Sequence, residues 1–238
     1  MLKSLRPSVA ETKANEHLRR TYVRICLFPG FCAHRERMDR DEVGSLLDAA
    51  KDGDEREAIY AIKRGANVNA KSRRSGKTPL HLATEKGYKG MAFMLIEEGA
   101  MVNAQDGEGN TPLHVAAQAA SSRLAQLLID RGAKVDLTNS DGESPLHLAS
   151  NNGHLDMVRL LVCKGAGTNT QTDSGETPVH YAAYRGAAEI LRLLIDKGAD
   201  VDPLDCDNDT PLHTAANKGH VDVARLLIDK GADVDKQN

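Results

Sequence analysis

One tetrapeptide, Thr-Pro-Leu-His or a close variant of it, occurs five times in this chain at a constant spacing. The copies begin at Thr78, Thr111, Ser144, Thr177 and Thr210, so each starts 33 residues after the one before. A fixed period of this length predicts a stack of repeated structural units rather than a single closed globule. Such an array buries its core between neighbouring units and presents a long open surface instead of a pocket.

Each unit carries the sequence signals of two short helices. Thr or Ser before Pro supplies an N-cap hydroxyl, and Pro fills the first helical position, where no amide hydrogen is required. The first helix ends at a glycine such as Gly153, and the second carries apolar residues at helical spacing, as in Met157 and Leu161. That second helix ends at a Gly-Ala pair, where Gly can adopt a left-handed cap. A turn such as Asp141-Gly142 then predicts a short hairpin before the next unit.

The pattern resembles the ankyrin repeat over residues 40–238, with T-P-L-H-x-A-A, the inter-helix Gly and G-A-x-V-x all in register. The resemblance implies an all-α solenoid of about six stacked helix–turn–helix repeats with short β-hairpin loops. It also implies that the hairpins project from the helix pairs like fingers from a palm. Members of this family mostly bind other proteins through the finger tips and the concave face formed by the first helices.

The repeats divide the chain into three parts. We expect residues 1–39 to form a poorly ordered basic extension, residues 40–74 to form a degenerate N-capping repeat, and residues 75–238 to form five repeats with no evident C-terminal cap. The capping repeat lacks the Thr-Pro start and is polar where the others are apolar, for example at Asp48 and Glu57, as the end of an array requires.

The last helix of the array is predicted to leave an apolar face open. Residues 221–228 look like an internal second helix and contain no polar replacements. The open face would be covered by the continuation of a longer protein or by a partner, including a second copy of this chain. A tolerated exposed end is the structural alternative, since single surface apolar residues are common.

The N-terminal extension differs from the repeats in charge. Residues 1–37 hold eight Lys and Arg against three Glu, a net charge of +5, whereas residues 38–238 hold 23 against 31, a net charge of −8. A targeting sequence, an interaction arm and a disordered lead all fit this composition. The apolar stretch 25–31 is short, late and broken by Pro-Gly, which argues against a secretory signal, and Glu11 and Glu16 argue against a mitochondrial one. Met38 is an alternative start, which would remove the basic segment.

Composition also limits location and partners. The four cysteines form no disulfide framework, which favours a reduced compartment, so we expect a cytoplasmic or nuclear protein. No apolar run approaches the length of a membrane span. The negative repeat body makes nucleic acid an unlikely ligand.

The sequence offers no catalytic arrangement. Five of the nine histidines lie in the Thr-Pro-Leu-His motif, and we predict that each ring bonds its own cap hydroxyl and backbone groups of the adjacent hairpin. Cys26, Cys32 and His34 match none of the usual zinc spacings. No phosphate-binding glycine loop and no nucleophile with a base beside it is present. We therefore expect a protein that is not an enzyme and uses no cofactor, metal or small-molecule substrate.

Candidate binding residues come from the positions where the repeats differ. The two residues that follow the paired small residues of each first helix are expected on the concave face, and they include Gln118, Asn151, Asn152, Tyr184, Arg185, Asn217 and Lys218. Only the pair Tyr184 and Arg185 combines an aromatic residue with arginine, the types enriched at binding hot spots. These two residues are our first choice for partner affinity.

The fingers are predicted to be polarised in charge. The first carries Arg73, Arg74 and Lys77, and later ones carry Glu143, Glu176 and Asp209 among other acidic residues. We hypothesise a partner of complementary polarity that presents basic groups to the C-terminal fingers, because such complementarity steers association and fixes register. Binding that is insensitive to salt would contradict this hypothesis.

Two further departures from the repeat pattern are informative. Ala120 stands where the other full repeats have the inter-helix Gly, and its presence is unfavourable if the site needs a positive φ. Ile59 and Phe93 occupy a position that is polar in later repeats, which predicts an outward apolar pair. We expect Tyr22, Val23, Ile25 or Phe28 of the N-terminal segment to cover this pair.

These observations favour a non-catalytic scaffold or adaptor that binds a protein partner through the concave face and the hairpin tips. The alternative is a repeat fragment of a larger enzyme or channel whose active domain lies beyond the C-terminus, which the open final helix supports. A longer reading frame would decide between them.

Overall fold

Six consecutive helix pairs make up residues 42–238, the part of the chain that the computed structural model describes. The pairs are α1 (Glu42–Asp52) with α2 (Glu55–Lys63), α3 (Pro79–Glu85) with α4 (Lys89–Glu97), α5 (Pro112–Gln118) with α6 (Ser122–Asp130), α7 (Pro145–Asn151) with α8 (Leu155–Cys163), α9 (Pro178–Arg185) with α10 (Ala188–Asp196), and α11 (Pro211–Lys218) with α12 (Val221–Asp229). None of these residues lies in a strand. The predicted all-α repeat solenoid is confirmed.

Stacking of neighbouring pairs forms the core. Each first helix packs against its own second helix and against the first helices of the adjacent pairs, and the second helices pack in a parallel layer. Leu80, Leu113 and Leu146, which occupy the same position in three repeats, are all at most 1 % exposed. One helix pair could not bury these side chains by itself, so the array depends on contacts between repeats.

The motif histidines tie each repeat to the next one. The backbone amide of Thr78 donates to Nδ1 of His81 at 3.2 Å, so Nδ1 must be an acceptor and Nε2 carries the proton. Nε2 then donates to the carbonyl oxygen of Asn110 in the following hairpin at 2.9 Å. His114, His147 and His180 make the same cap contact and also reach a carbonyl of the next hairpin. The predicted structural role is confirmed for these four rings, whose pKa values are lowered by burial.

Ala120 adopts the left-handed conformation in which the sequence analysis expected alanine to be unfavourable. Its φ is +54°, while φ is +77° at Gly87 and +75° at Gly153, the equivalent residues of neighbouring repeats. The turn is otherwise kept, although the amide of Ala120 is 3.5 Å from its acceptor, the carbonyl of Ala117, compared with 3.1 Å for the corresponding bond of Gly87.

Side-chain amides join the loops that follow the second helices. Nδ2 of Asn103 donates to the carbonyl of Gly132 at 3.0 Å, and its Oδ1 accepts from the amide of Lys134 at 2.9 Å. Asn69 and Asn169 make the same pair of bonds in their own repeats. Asp202 takes this place in the fifth repeat, where Oδ2 accepts from the amide of Asp233 but the buried Oδ1 has no hydrogen-bond partner.

Ion pairs connect the C-terminal ends of successive second helices. Glu97 pairs with Arg131 at 2.7 Å, Asp130 with Lys164 at 3.5 Å, and Asp196 with Lys230 at 2.7 Å. The hydrogen bond from Lys230 lowers the pKa of Asp196. At the step between the fourth and fifth repeats Cys163 replaces the acidic residue, and Lys197 makes no ion pair with any residue in the described range.

The two ends of the described array differ. The predicted outward apolar pair is wrong for Ile59, which is buried and 9 % exposed. Phe93 is half-buried, with the guanidinium of Arg131 4.8 Å from its ring centroid. The covering residues predicted for this pair, Tyr22, Val23, Ile25 and Phe28, lie outside the described residues. At the other end Val221 and Ile228 are 66 % and 48 % exposed, as expected for an open apolar face.

Candidate partner-binding surface

The C-terminal ends of the first helices carry the residues that the sequence assigned to the concave face, and we call this surface the floor. Gln118, Tyr184, Arg185, Asn217 and Lys218 are exposed there, as the repeat alignment predicted. The other two predicted floor residues, Asn151 and Asn152, are half-buried, and Nδ2 of Asn152 donates to the carbonyl of Leu148 at 2.8 Å. The accessible predicted side chains are therefore concentrated in the last two repeats, with Gln118 as an outlying member.

Tyr184 belongs to a small cluster that spans two repeats. Its side chain is 52 % exposed, and Nζ of Lys218 lies 4.2 Å from the ring centroid, within cation–π distance. The carbonyl oxygen of Tyr184 lies 3.0 Å from Nε2 of His220, which fixes the loop beneath it. Arg185 extends toward Gly153 in the preceding repeat. Tyr184 and Arg185 were predicted from the sequence, whereas the contact with Lys218 arises only from the stacking of two repeats.

The hairpins form a continuous row beside this floor. We use "fingers" for residues 71–77, 104–110, 138–143, 171–176 and 204–209. One backbone hydrogen bond of 2.8–3.1 Å connects each finger to its neighbour, and the donor–acceptor pairs are Gly107–Ser75, Ser140–Glu108, Asp173–Asp141 and Cys206–Ser174. These bonds hold the finger tips at the spacing of the repeats, so their charges line one edge of the concave face.

The predicted charged residues at the bases of the fingers have partners within the protein. Lys77 pairs with Glu85 across the floor of the second repeat at 2.8 Å. Oε1 of Glu143 accepts from the hydroxyl of Tyr181 at 2.9 Å. The other two are also engaged: Glu176 accepts from the hydroxyl of Ser174, and Asp209 accepts from the amide of Asn238.

Five charged side chains at the finger tips are free of such contacts. Arg73 and Arg74 on the first finger are exposed and have no ion-pair or side-chain hydrogen-bond partner among the described residues. The same is true of the carboxylates of Asp141, Asp173 and Asp207 on later fingers. The basic-to-acidic polarity predicted from the sequence is therefore presented by tip residues rather than by the finger bases.

A polar contact fixes the floor of the fifth repeat. Tyr181 is half-buried, its ring packs edge-on against His147 with centroids 5.5 Å apart, and its hydroxyl donates to Glu143. Burial, followed by the neighbouring Glu143 carboxylate, raises the pKa of Tyr181 well above its usual range. Burial likewise lowers the pKa of His147 to about 4. Both rings are therefore neutral at physiological pH and position the third and fourth fingers.

The described residues contain neither a metal-binding cluster nor a membrane-spanning helix. Within residues 42–238 no three His, Cys, Asp or Glu side chains lie close enough together to hold a metal ion. The cysteines at 26 and 32 and the histidine at 34 lie outside that range. No helix in the described part of the chain is long and apolar enough to cross a membrane.

Comparison with known proteins agrees with this architecture. A family model described as "Ankyrin repeats (3 copies)" matches residues 33–106, 102–172 and 146–238. The ankyrin repeat-containing protein F37A4.4 of Caenorhabditis elegans is 38 % identical over 64 residues, which is 26 % of this chain and 5 % of that protein. Rabankyrin-5 of Mus musculus is 37 % identical over 75 residues, which is 27 % of this chain and 6 % of that protein. The matched segments thus cover only a small part of either relative.

Proposed function

This chain belongs to the ankyrin-repeat family, whose repeats generally act as protein–protein interaction modules, and we propose that it is a non-catalytic adaptor that binds a protein partner through its concave face and finger tips. The carrying observation is the group of Tyr184, Arg185 and Lys218, in which an exposed aromatic ring contacts the exposed Lys218 and is followed in the chain by the exposed Arg185. Tyrosine and arginine are over-represented among residues that dominate binding energy. The remaining floor residues, including Asn217 and Gln118, would supply complementary contacts.

Affinity capture from a lysate of the source cell tests this proposal. The variant Tyr184→Ala/Arg185→Glu removes the ring and reverses one charge on the floor. The matched control is Tyr60→Ala/Arg64→Glu, because Tyr60 is 56 % exposed on a second helix and Arg64 lies 5.7 Å from its ring centroid. Circular dichroism must first establish that both variants remain folded.

A protein retained by the wild type and the control but lost by the floor variant is the expected result. Equal retention by all three would contradict recognition through the floor and move the site to the finger tips or the open C-terminal face. No retained protein would favour the alternative that this chain is an interaction segment of a larger enzyme or channel.

Two further properties complete the proposal. The chain acts in the cytoplasm or nucleus, which the exposed free thiols of Cys163 and Cys206 support. Self-association through the open face of α12 is a second mode of interaction, supported by the exposure of Val221 and Ile228. Fluorescence microscopy of the tagged chain and sedimentation of the purified chain test these two points, and an extracellular or strictly monomeric protein would contradict them.

A further inference from the structure

The floor of the concave face has the width of a single α-helix. It runs along the first helices, and α9 (Pro178–Arg185) and α11 (Pro211–Lys218) each contain eight residues. At 1.5 Å per residue such a helix is about 12 Å long, and an α-helix with its side chains is about 10–12 Å across. One helix laid along the array would therefore fill the floor from the fingers to the far edge.

The two long sides of this floor carry opposite charge in the last two repeats. The four fingers after the first hold nine acidic residues and no Lys or Arg. The far edge holds Arg185 and Lys218, both exposed. In the second repeat a cation and an anion on the two sides neutralise each other, because Lys77 reaches Glu85. Tyr184 and Asn217 occupy the position of Glu85 in the fifth and sixth repeats, where both sides keep their charge.

The spacing of the repeats matches the periodicity of a helix along the array. Packed helices lie about 8–10 Å apart, and a step of about 10 Å between repeats corresponds to about seven residues of an α-helix. Residues seven apart lie on one face of a helix, so the same flank would meet each successive finger. In an extended segment about three residues cover this distance, and side chains three apart point to opposite sides. A helix can therefore present like charges to successive fingers, whereas an extended segment cannot.

We propose that the concave face of the last three repeats binds one α-helix of the partner, an inference that rests on the proposed function. The helix lies with a basic flank toward the fingers and an acidic flank toward Arg185 and Lys218. The free carboxylates of Asp141, Asp173 and Asp207 receive the basic flank. The stripe between the two flanks lies over Tyr184, which supplies an exposed ring for apolar contact.

Two isomeric peptides test the proposal with the full chain. Both are fluorescent, end-capped, alanine-rich and about three heptads long, with equal numbers of Lys and Glu. The first carries all Lys on one flank and all Glu on the opposite flank, and the second mixes both residues on each flank. Fluorescence anisotropy gives their affinities at about 50 mM and about 500 mM salt, where screening differs strongly. We expect the segregated peptide to bind at least about tenfold more tightly at low salt and to lose this advantage at high salt.

Charge-reversal variants locate the binding face. Arg185→Glu/Lys218→Glu should weaken the binding of the segregated peptide by about tenfold or more. The matched control Arg123→Glu/Lys134→Glu makes the same change in net charge at two exposed residues of the third repeat outside the floor, and it should bind like the wild type. A third peptide, the segregated one with a central proline, should bind poorly because proline breaks the helix.

Three results would overturn the proposal: equal affinity for the two isomers, full affinity of the proline peptide, or no binding of any peptide at about 100 µM. The proposed function is tested separately by the capture of a partner that depends on Tyr184. A partner that is captured in this way while the two isomers bind equally would leave the adaptor function standing and refute only the charged-helix ligand.

Discussion

Replacing Ala120 by glycine should stabilise this protein, because Ala120 is held at φ +54° in a turn where its counterparts are glycines. The left-handed conformation costs an L-residue about 1–2 kcal/mol. Glycine relieves that strain but loses more conformational entropy on folding, which costs about 0.4–1 kcal/mol. The difference is a gain of about 0.5–1 kcal/mol, and for an array of this size it raises the melting temperature by about 1–4 °C.

The converse substitution serves as an internal standard. Gly87 has φ +77°, and a Cβ added there would meet no atom within 4 Å. Gly87→Ala should therefore meet no steric clash, and its net cost, the backbone strain less the entropy advantage of alanine, should be similar to the gain at Ala120. Gly186→Ala should cost more, because its Cβ would lie 2.8 Å from the ring of His220.

Thermal and urea unfolding followed by circular dichroism at 222 nm measures all three variants. Repeat arrays can lose two-state behaviour, so the transition midpoints and their slopes should be compared together. The reasoning is refuted if Ala120→Gly leaves the midpoint unchanged or lowers it while Gly87→Ala is destabilising. In that case the turn at residue 120 would have a shape of its own in solution.

Three other perturbations give measurable outcomes. Acidification from pH 7 to pH 4.5 should lower the urea midpoint, because the pKa of His147 is about 4 in the folded chain and 6.5 when unfolded, so the unfolded state binds the proton first. The free energy of unfolding should fall by about 2.4 kcal/mol over this range, and a flat profile would contradict this. Asp202→Asn should raise the free energy of unfolding by about 1 kcal/mol, because it supplies the amide donor that Asn103 provides in its repeat. Asn103→Asp is the opposite control and should lower the free energy of unfolding in the same assay. Cys163→Asp should complete the row of ion pairs by pairing with Lys197, and it should raise the free energy of unfolding by about 0.2–1 kcal/mol at low salt. A gain that persists in about 1 M salt would exclude an ion pair as its cause.

The fold was predictable because its signals are local and repeated. Thr78 and His81 lie within one helical turn, so the cap they form can be inferred from four consecutive residues. The glycines at the equivalent position of the other full repeats likewise pointed to Ala120 as a site where a positive φ would be unfavourable, and its φ is positive. The constant spacing then extends each local inference to the other repeats.

The sequence did not predict in the same way which surface side chains have a partner within the protein. Glu143 and Asp141 are both acidic residues of one hairpin, and the sequence does not distinguish them. Only the fold brings Tyr181, 38 residues away, onto Glu143 and leaves Asp141 without a partner among the described residues. The stacking of Lys218 on Tyr184 similarly depends on the superposition of two repeats.

The most direct test of the account is site-specific photo-crosslinking in the source cell. A photoreactive phenylalanine derivative is placed at Tyr184 on the concave floor or at Tyr60 on a second helix, two positions with similar exposure of 52 % and 56 %. Recognition through the concave face predicts a crosslinked protein adduct from position 184 and none from position 60. An adduct from position 60 alone, or from neither position, would contradict it.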